Sequence, residues 1–468
     1  MTAPIKAKTL ICFMNALFHP DNRAIVQAAR GVAATLRGAG HEALFAGGCV
    51  RDALLGRQVK DIDIATAASP DQVEQLFPGA TVAVGKSFGV VMVRRDGFSF
   101  DVASFRSDGA YTDGRHPDRI AFTSPAEDAK RRDFTVNGLF CDPESGHILD
   151  FVNGRKDLAD NIIRAIGDPD ARFGEDRLRM LRAVRFASTL EFTIEPETLA
   201  AIKRNACRIG TVSTERVAAE LTRLICESPK PSLGLSLLCA TGLLELLLPE
   251  ADALRGTRQP PRFHPEGDVW THTCLMLDAL PAPRTPALAW SALLHDIGKP
   301  VTFCEETDPA SGDTLIRFPC HAPVGSAMAG KVLERLKQPS ALVAEVQAVV
   351  GDHMRFVEAR NMRPAKLRRL LGASHFPTLL EVMRVDTEYS NGDFTTWDFI
   401  KKSLDAFRSE PVLPPPLVRG KDLIGWGYAP GPAMGNLLKD LYDAQLEGRF
   451  SSLEEARALL SRESLPKA

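Results

Sequence analysis

One short stretch constrains its surroundings more tightly than any other part of the chain. In Lys60-Asp-Ile-Asp-Ile64 polar and apolar residues alternate with a period of two, the pattern of a half-buried β-strand. Asp61 and Asp63 then project from one face, while Ile62 and Ile64 enter a core. Two like charges side by side are tolerated when cations bind between them, and metals about 3.5 to 4 Å apart are the usual device for in-line phosphoryl transfer. Just upstream, Leu44-Phe-Ala-Gly-Gly-Cys-Val-Arg-Asp52 puts Gly47 and Gly48 behind a strand. Their missing side chains allow close backbone approach to phosphates, and Arg51 is placed to meet the phosphate charge. Phe98-Ser-Phe-Asp-Val-Ala-Ser-Phe105 alternates in the same way, with Phe98, Phe100 and Val102 on one face and Asp101 on the other. Asp101 is therefore either a third carboxylate of the site or an exposed strand aspartate. A solvated strand edge explains a lone Asp-x-Asp but not its pairing with Gly-Gly-x-Val-Arg-Asp.

The neighbouring periodicities place this stretch in a small mixed module. Apolar spacing from Arg23 to Arg37 predicts a helix, Ser69-Pro70 starts another reaching Phe77, and Asp96-Gly97 predicts a tight hairpin between strands Gly89 to Arg94 and Ser99 to Ser104. From residue 175 to 409 the strand signal nearly vanishes and helical periodicity takes over. Arg255 to Pro265 and the four prolines of Glu410 to Pro416 read as linkers. The expected fold is α+β, with a mixed-sheet head (22–165) followed by an all-α neck (166–254), body (255–409) and tail (410–468). A length of 468 residues accommodates several such modules.

Composition excludes more than it identifies. With 57 basic and 59 acidic residues the net charge is -2, so any nucleic-acid surface must be local. The nine cysteines are scattered without a Cys-x-x-Cys pair, which argues against disulfides or structural zinc and for a reducing cytoplasm. The longest apolar run, Leu233 to Leu248, is broken by Ser236, Thr241, Gly242 and Glu245, so no membrane span is expected. Thr9 to Phe18, behind Lys6 and Lys8, weakly mimics a secretory leader but lacks a small-residue cleavage site before His19-Pro20.

Two further segments carry chemistry. Glu175 to Phe186 predicts a continuous helix with Leu178, Leu181 and Val184 inward and Asp176 and Arg179 one turn apart. An acceptor beside a donor imitates the Watson–Crick edge of a base, and Arg182 and Arg185 continue the stripe towards a triphosphate. By periodicity alone the same segment is also an amphipathic helix with an arginine-rich wet face. In the second segment, a helix from Ala287 to Ile297 ends in His295-Asp296, an imidazole and a carboxylate that suit a divalent transition metal.

Taken in order, the head motifs resemble the class II nucleotidyltransferase superfamily, specifically the CCA-adding tRNA nucleotidyltransferases and bacterial poly(A) polymerases. Asp113-Gly-Arg-His-Pro-Asp118 resembles the family's flexible loop, which helps switch nucleotide choice and argues against a CC-only enzyme. Arg131-Arg-Asp-Phe-Thr-Val-Asn137 resembles its ribose motif, implying Arg132, Asp133 and Asn137 as nucleotide contacts, and Asp150-Phe-Val-Asn-Gly-Arg-Lys-Asp-Leu158 its connector into the neck. The resemblance implies Mg²⁺ on Asp61 and Asp63 with Asp101 beside them. It also implies that Gly48 and Arg51 bind nucleotide, that Asp176 and Arg179 read CTP and ATP, and that Arg182 and Arg185 clamp phosphates. The implied reaction adds C, C and A to a tRNA 3′ end with release of pyrophosphate. Poly(A) synthesis or A-only addition are the alternatives within the class.

Pro265-Glu-Gly-Asp-Val-Trp-Thr-His272 and His295-Asp296 resemble the HD phosphohydrolase superfamily. That resemblance implies a metal held by His272, His295, Asp296 and a distant aspartate, either Asp386 or Asp352, with His321 and His353 supporting these ligands or holding a second ion. Metal-bound water would then hydrolyse a phosphomonoester or a 2′,3′-cyclic phosphate; a helical scaffold without turnover is the other reading. The basic run Arg355 to Arg369 is either a solvated face or a phosphate track for tRNA, and the tail from Pro416 to Leu460 resembles the family's RNA-contacting region. Monomer and dimer are equally compatible with the sequence.

Overall fold

The computed structural model describes residues 17–82, 89–108, 120–307, 309, 312, 314–407 and 411–462. The chain forms two compact units, one from residues 1–224 with 228–247 and the other from 225–227 with 248–468.

In the first unit, helix α1 (Arg23–Gly38) buries Val26, Ala28, Ala29, Val32, Ala33 and Leu36, small and branched residues recurring at helical spacing. It leads into β1 (Ala43–Ala46), the short helix α2 (Gly48–Leu54), β2 (Asp63–Thr66) and α3 (Pro70–Leu76), whose Ser69 and Gln72 form a reciprocal capping box. Then come β3 (Thr81–Val82), β4 (Val90–Arg95) and β5 (Phe98–Ser104). Asp96 and Gly97 both have positive φ, 51° and 81°, so the β4–β5 connection is the tight turn that the Asp-Gly pair specifies. After the two-stranded β6 (Arg106–Asp108) and β7 (Ile120–Phe122) come α4 (Pro125–Arg131), β8 (Leu139–Cys141) and β9 (Ile148–Asp150). The main sheet runs β3-β4-β5-β2-β1-β8-β9. Within this sheet, among the described residues, β2 and β5 are the one parallel pair, with Ile64 opposite Val102.

The connector from Asp150 to Leu158 acts as a brace. Asp150 accepts backbone N–H bonds from Val152, Gly154 and Arg155 at 3.1, 2.9 and 2.9 Å, and Asp157 accepts from the Thr135 hydroxyl at 2.7 Å. A side chain at Gly154 would collide with the Thr135 carbonyl, so glycine lets helix α5 (Gly154–Ala159) lie directly on the helical turn Thr135–Asn137. The neck continues through β10 (Ile162–Ile163), α6 (Pro169–Glu175), α7 (Leu178–Leu190), β11 (Thr193–Ile194), α8 (Pro196–Asn205) and α9 (Thr214–Glu227). Leu181 and Val184 of α7 are fully buried, each contributing about 1.5 to 3 kcal/mol relative to exposure.

The helix expected from Glu175 to Phe186 is broken. Asp176 is extended, with φ -141°, and its carboxylate accepts from Leu178 N–H at 3.1 Å. It caps the start of α7 instead of continuing α6, as a short acidic side chain does when it competes for backbone donors.

The second unit holds α10 (Val269–Ala279) and α11 (Pro286–Leu294), then α12 (His321–Arg335), α13 (Ser340–Val357), α14 (Pro364–Leu371), α15 (Phe376–Glu388) and α16 (Thr395–Ala406). α11 is apolar all round and packs against α10, α13 and α15, the behaviour of a central helix. This body is not wholly helical: β12 (Cys304–Thr307) and β13 (Thr314–Arg317) pair antiparallel. Their alternating charged and apolar residues form a surface ribbon too polar to add to the core and too short to stand out beside long helices. The tail closes its own small core around Val418, Leu423, Leu441, Phe450 and Leu460.

Candidate functional sites

In the first unit, Ile64 and Val102 point inward side by side, so Asp63 and Asp101, one residue earlier on the two parallel strands, share the opposite face. They line a cleft of about 230 Å³ with Ala46, Val90, Arg131 and Arg132. Asp61 sits just before β2, not within it. Asp63 opens onto solvent, yet the protein mass around it and the nearby charges of Asp61 and Asp101 push its carboxyl up to about 6, against the pull of Arg132. Gly47 has φ +75°, and a side chain there would stand 2.9 Å from the Arg132 guanidinium, so glycine is required both for the turn and for the approach of Arg132.

A continuous hydrogen-bonded chain extends from this cleft. Arg51, buried, donates to Asn137 Oδ1 at 2.6 Å, Asn137 donates to Asp133 Oδ1 at 3.1 Å, and Arg182 donates to Asp133 Oδ2 at 2.9 and 2.7 Å. Burial alone would raise the Asp133 carboxyl, but Arg182 and Asn137 hold it down to about 2. Arg185 donates to Glu220 of α9 at 2.5 Å, and Glu220 also faces Arg182 at 3.7 Å. The Phe186 ring lies under three guanidinium groups, those of Arg51, Arg182 and Arg185, at 5.1, 5.2 and 4.0 Å. Arg51, Asn137, Asp133, Arg182 and Arg185 thus come together. The network adds Asp52, Asp128 and Glu220, which pair with Arg51, Arg132 and Arg185 and which sequence reasoning missed. Glu220 has no local signal, because only tertiary packing brings α9 to α7.

Asp176 and Arg179 are held apart by other partners. Arg216 of α9 pairs with Asp176 at 2.7 Å, while Arg179 pairs with Glu175 at 2.6 Å and donates to the Arg131 carbonyl at 3.2 Å. Gly48 begins α2, with Arg51 as its neighbour. The loop Asp113 to Asp118 lies outside the described residues.

In the second unit, all the expected histidines converge. His272, His295, Asp296, His321 and His353 are each less than a tenth exposed. Among the described residues, His272 with His295 and Asp296, and Asp296 with His321 and His353, form two groups able to hold a metal ion, and His264, Glu266 and His272 form a third. His272 Nε2 lies 3.0 Å from Asp386 Oδ1 and its Nδ1 lies 2.7 Å from Glu266. Burial pulls the His272 imidazole down, but the hydrogen bonds to Asp386 and Glu266 lift it to about 9. Asp386 is therefore the aspartate that faces the cluster. Asp352 instead pairs with His375 and Arg355 at 3.0 and 2.8 Å.

Lys299 donates to Asp296 at 2.6 Å and to Gln259 at 2.6 Å. Against the cost of burial, His295 and Lys299 hold the Asp296 carboxyl well below its usual range. Burial pushes His353 down to about 4. Glu266 and Lys299 were not singled out from sequence, although each sits within a few residues of a proposed ligand. In the basic run, Arg355, Arg363 and Lys366 line a surface pocket of about 290 Å³, Arg368 donates to the Val412 carbonyl and Arg369 pairs with Asp443. No helix among the described residues is long and apolar enough to cross a membrane.

Comparisons with known proteins agree with this geometry. Residues 43–164 match the family model of the poly A polymerase head domain, and residues 191–254 match that of the probable RNA and SrmB-binding site of polymerase A. The CCA-adding enzyme of Levilactobacillus brevis is 48% identical over 216 residues, 46% of this chain and 54% of that protein. That of Pediococcus pentosaceus is 40% identical over 281 residues, 58% of this chain and 70% of that protein. The chain thus spans little more than half the length of several curated relatives it matches. The crystal structure of Bacillus stearothermophilus CCA-adding enzyme in complex with CTP superposes with a TM-score of 0.71 at 29% identity, covering 93% of this chain and 97% of that one.

Proposed function

The chain belongs to the CCA-adding enzyme family, and on that premise we propose that it is a template-independent tRNA nucleotidyltransferase adding C, C and A from CTP and ATP, with release of pyrophosphate. The observation that carries this reading is the cleft in which Asp63, Asp101 and Arg132 face one another, joined by hydrogen bonds through Asn137 to Asp133 and Arg182. The donor set fits Mg²⁺: hard carboxylate oxygens, with the Asp63 carboxyl pushed up by burial and by Asp61 and Asp101, which Arg132 offsets only in part. Asp61 and Asp63, with Asp101 beside them, would hold Mg²⁺, which when bound favours ionisation of the tRNA 3′-hydroxyl and offsets charge on the departing pyrophosphate.

The chain's own residues do the positioning. Arg51 and Arg132 offer charge to the phosphates, and Asp133 and Asn137, each fixed by the other and by an arginine, orient the ribose. Asp176 and Arg179 present an acceptor and a donor to the base once they exchange Arg216 and Glu175 for it. Glu220 holds Arg185 at 2.5 Å and faces Arg182 at 3.7 Å, so Arg182 is shared between Glu220 and Asp133. The eight described cysteines form no disulfide with one another, which supports a cytoplasmic setting. We retain head, neck, body and tail as the functional division of the chain.

The test is incorporation of labelled CTP and ATP, singly and together with Mg²⁺, into tRNA transcripts ending before CCA, after C and after CC. Termination after C, C and A is the expected result. A long A tract would reassign the chain to poly(A) synthesis, and A added only to CC-ended tRNA would reassign it to A-only addition.

A second reading concerns the second unit, whose buried His272, His295, Asp296 and Asp386 support a transition-metal phosphohydrolase centre. His295 Nε2 is buried without a hydrogen-bond partner, as an imidazole awaiting a metal would be. Release of phosphate from a phosphomonoester or opening of a 2′,3′-cyclic phosphate, lost on His295→Ala, checks it.

A further inference from the structure

We infer that Asp128 is a positioning residue for nucleotide binding: it aims the Arg132 guanidinium at the phosphates of the incoming nucleotide without touching the nucleotide itself. The inference rests on the reading that Arg132 contacts phosphate, and adds the group that decides where its guanidinium stands.

Spacing prepares the arrangement. In Asp128-Ala-Lys-Arg-Arg132 the carboxylate is followed three and four positions later by an arginine, the separations at which side chains meet on a helical surface. Helix α4 carries Asp128 and ends at Arg131, and Arg132 leaves it with extended backbone, ψ 168°. Both guanidinium groups return to the one carboxylate. Its Oδ1 accepts from Arg131 Nε at 2.7 Å and from the Arg106 backbone N–H at 3.2 Å. Its Oδ2 accepts from Arg132 Nε and Nη2 at 3.2 and 3.1 Å. Asp128 is 1% exposed, and a charge so buried is tolerated only because charged donors meet both of its oxygens. Arg131 and Arg132 line the cleft with Asp63 and Asp101, so Asp128, behind them, reaches a ligand only through them.

The grip on Arg132 is one-sided. Asp128 occupies Nε and Nη2, one edge of the guanidinium fork, and the Phe140 ring lies under the plane at 4.9 Å. Nη1 is left at the Gly47 turn, 2.9 Å from where a side chain on Gly47 would stand. It meets the Asn137 carbonyl at 3.5 Å, the outer limit of a hydrogen bond. A guanidinium fixed by a carboxylate on one edge and an aromatic ring on one face presents its other edge in a set direction, which lowers the ordering cost of meeting an anion. The lysine ammonium lacks this property, because a point charge on a flexible stem has no edge to hold. Asp128 also ties β6 to α4 through the Arg106 N–H, so its effect on nucleotide must be separated from a purely structural tie.

The test measures equilibrium binding of CTP and of cytidine to the full chain with Mg²⁺ and without tRNA, by titration calorimetry. Asp128→Asn keeps the shape of the side chain and removes its charge. The expected result is CTP binding weakened about tenfold, the size of one charge-assisted hydrogen bond, with cytidine binding unchanged. In the double variant Asp128→Asn with Arg132→Ala, CTP affinity should equal that of Arg132→Ala alone. Equal weakening of CTP and cytidine, or a loss that adds to that of Arg132→Ala, would make Asp128 a structural tie and overturn the inference. Loss of CTP affinity in Arg132→Ala but not in Asp128→Asn would overturn the positioning role and leave the phosphate contact standing. Parent-like CTP affinity in Arg132→Ala would overturn both. Arg132→Lys keeps the charge and gives up the held edge, so CTP binding as tight as in the parent would overturn the inference even if Asp128→Asn fails to fold.

Discussion

At the scale of single residues, charge is the quantity that decides function. Asp63→Asn keeps the size of the side chain and removes one of three acidic charges around the cleft, so transfer should fall by more than about 100-fold, as it does when a group that acts only on transition-state charge is lost. Binding of tRNA should change less than about twofold, since phosphate contacts come from basic groups. Filter binding beside single-turnover incorporation separates the two, and retained turnover would remove Asp63 from the site. Asp133 makes a different prediction. Its carboxyl is held at about 2 against an ordinary 3.8, so the Arg182 pair adds stability that is complete above 3.8 and is lost as pH falls from there towards 2. Because Arg182 is 31% exposed, the contribution is on the order of 1 to 2 kcal/mol after screening. Urea unfolding should show the parent losing stability more steeply than Asp133→Asn across that acid window. Equal slopes would mean that the pair is already compensated by Asn137 or Glu220.

At the scale of elements, the alternation at Asp61 to Ile64 and at Phe98 to Val102 was legible because a strand with one buried face leaves a period-two record. The parallel pairing of β2 with β5 was not, since register is set by contacts far apart in sequence, and it is this pairing that brings Asp101 level with Asp63. The break between α6 and α7 was hidden for a related reason. Apolar spacing runs unbroken through Glu175 to Phe186, while the stop comes from the Asp176 carboxylate turning back on Leu178 N–H. Glycine positions give the sharpest test of packing. A side chain at Gly298 would land on the His321 carbonyl and within 2.8 Å of Gly325 N, backbone that cannot swing aside. Gly298→Ala should therefore cost about 1 to 3 kcal/mol by overpacking and displace α12, which carries His321. Chemical denaturation measures the first effect, and loss of the phosphohydrolysis proposed for the histidine centre measures the second.

At the scale of the whole molecule, the carboxylate cleft and the histidine centre belong to different compact units, each with its own core. Sequence order anticipated this separation, because strand periodicity ends before the first histidine motif begins. It could not reveal that Glu220 and Arg216 of α9 would serve α7 and Asp176 just before it, or that Glu266 would brace His272, since such partners are chosen by packing. Separate cores make a definite expectation for energetic coupling. Substitutions in sites without shared partners add within about 0.3 to 0.5 kcal/mol, so the double variant Asp63→Asn with His295→Ala should lose CCA incorporation as Asp63→Asn alone does, and phosphohydrolysis as His295→Ala alone does. Rates measured for both reactions in the parent, the two single variants and the double variant complete the cycle. If His295→Ala lowered nucleotide incorporation by about tenfold, 1.4 kcal/mol by the same arithmetic, the two units would have to share a state of the chain that both sites bias. Bound tRNA would then be the place to look for that state, by repeating the cycle with nucleotide incorporation into a minimal acceptor stem.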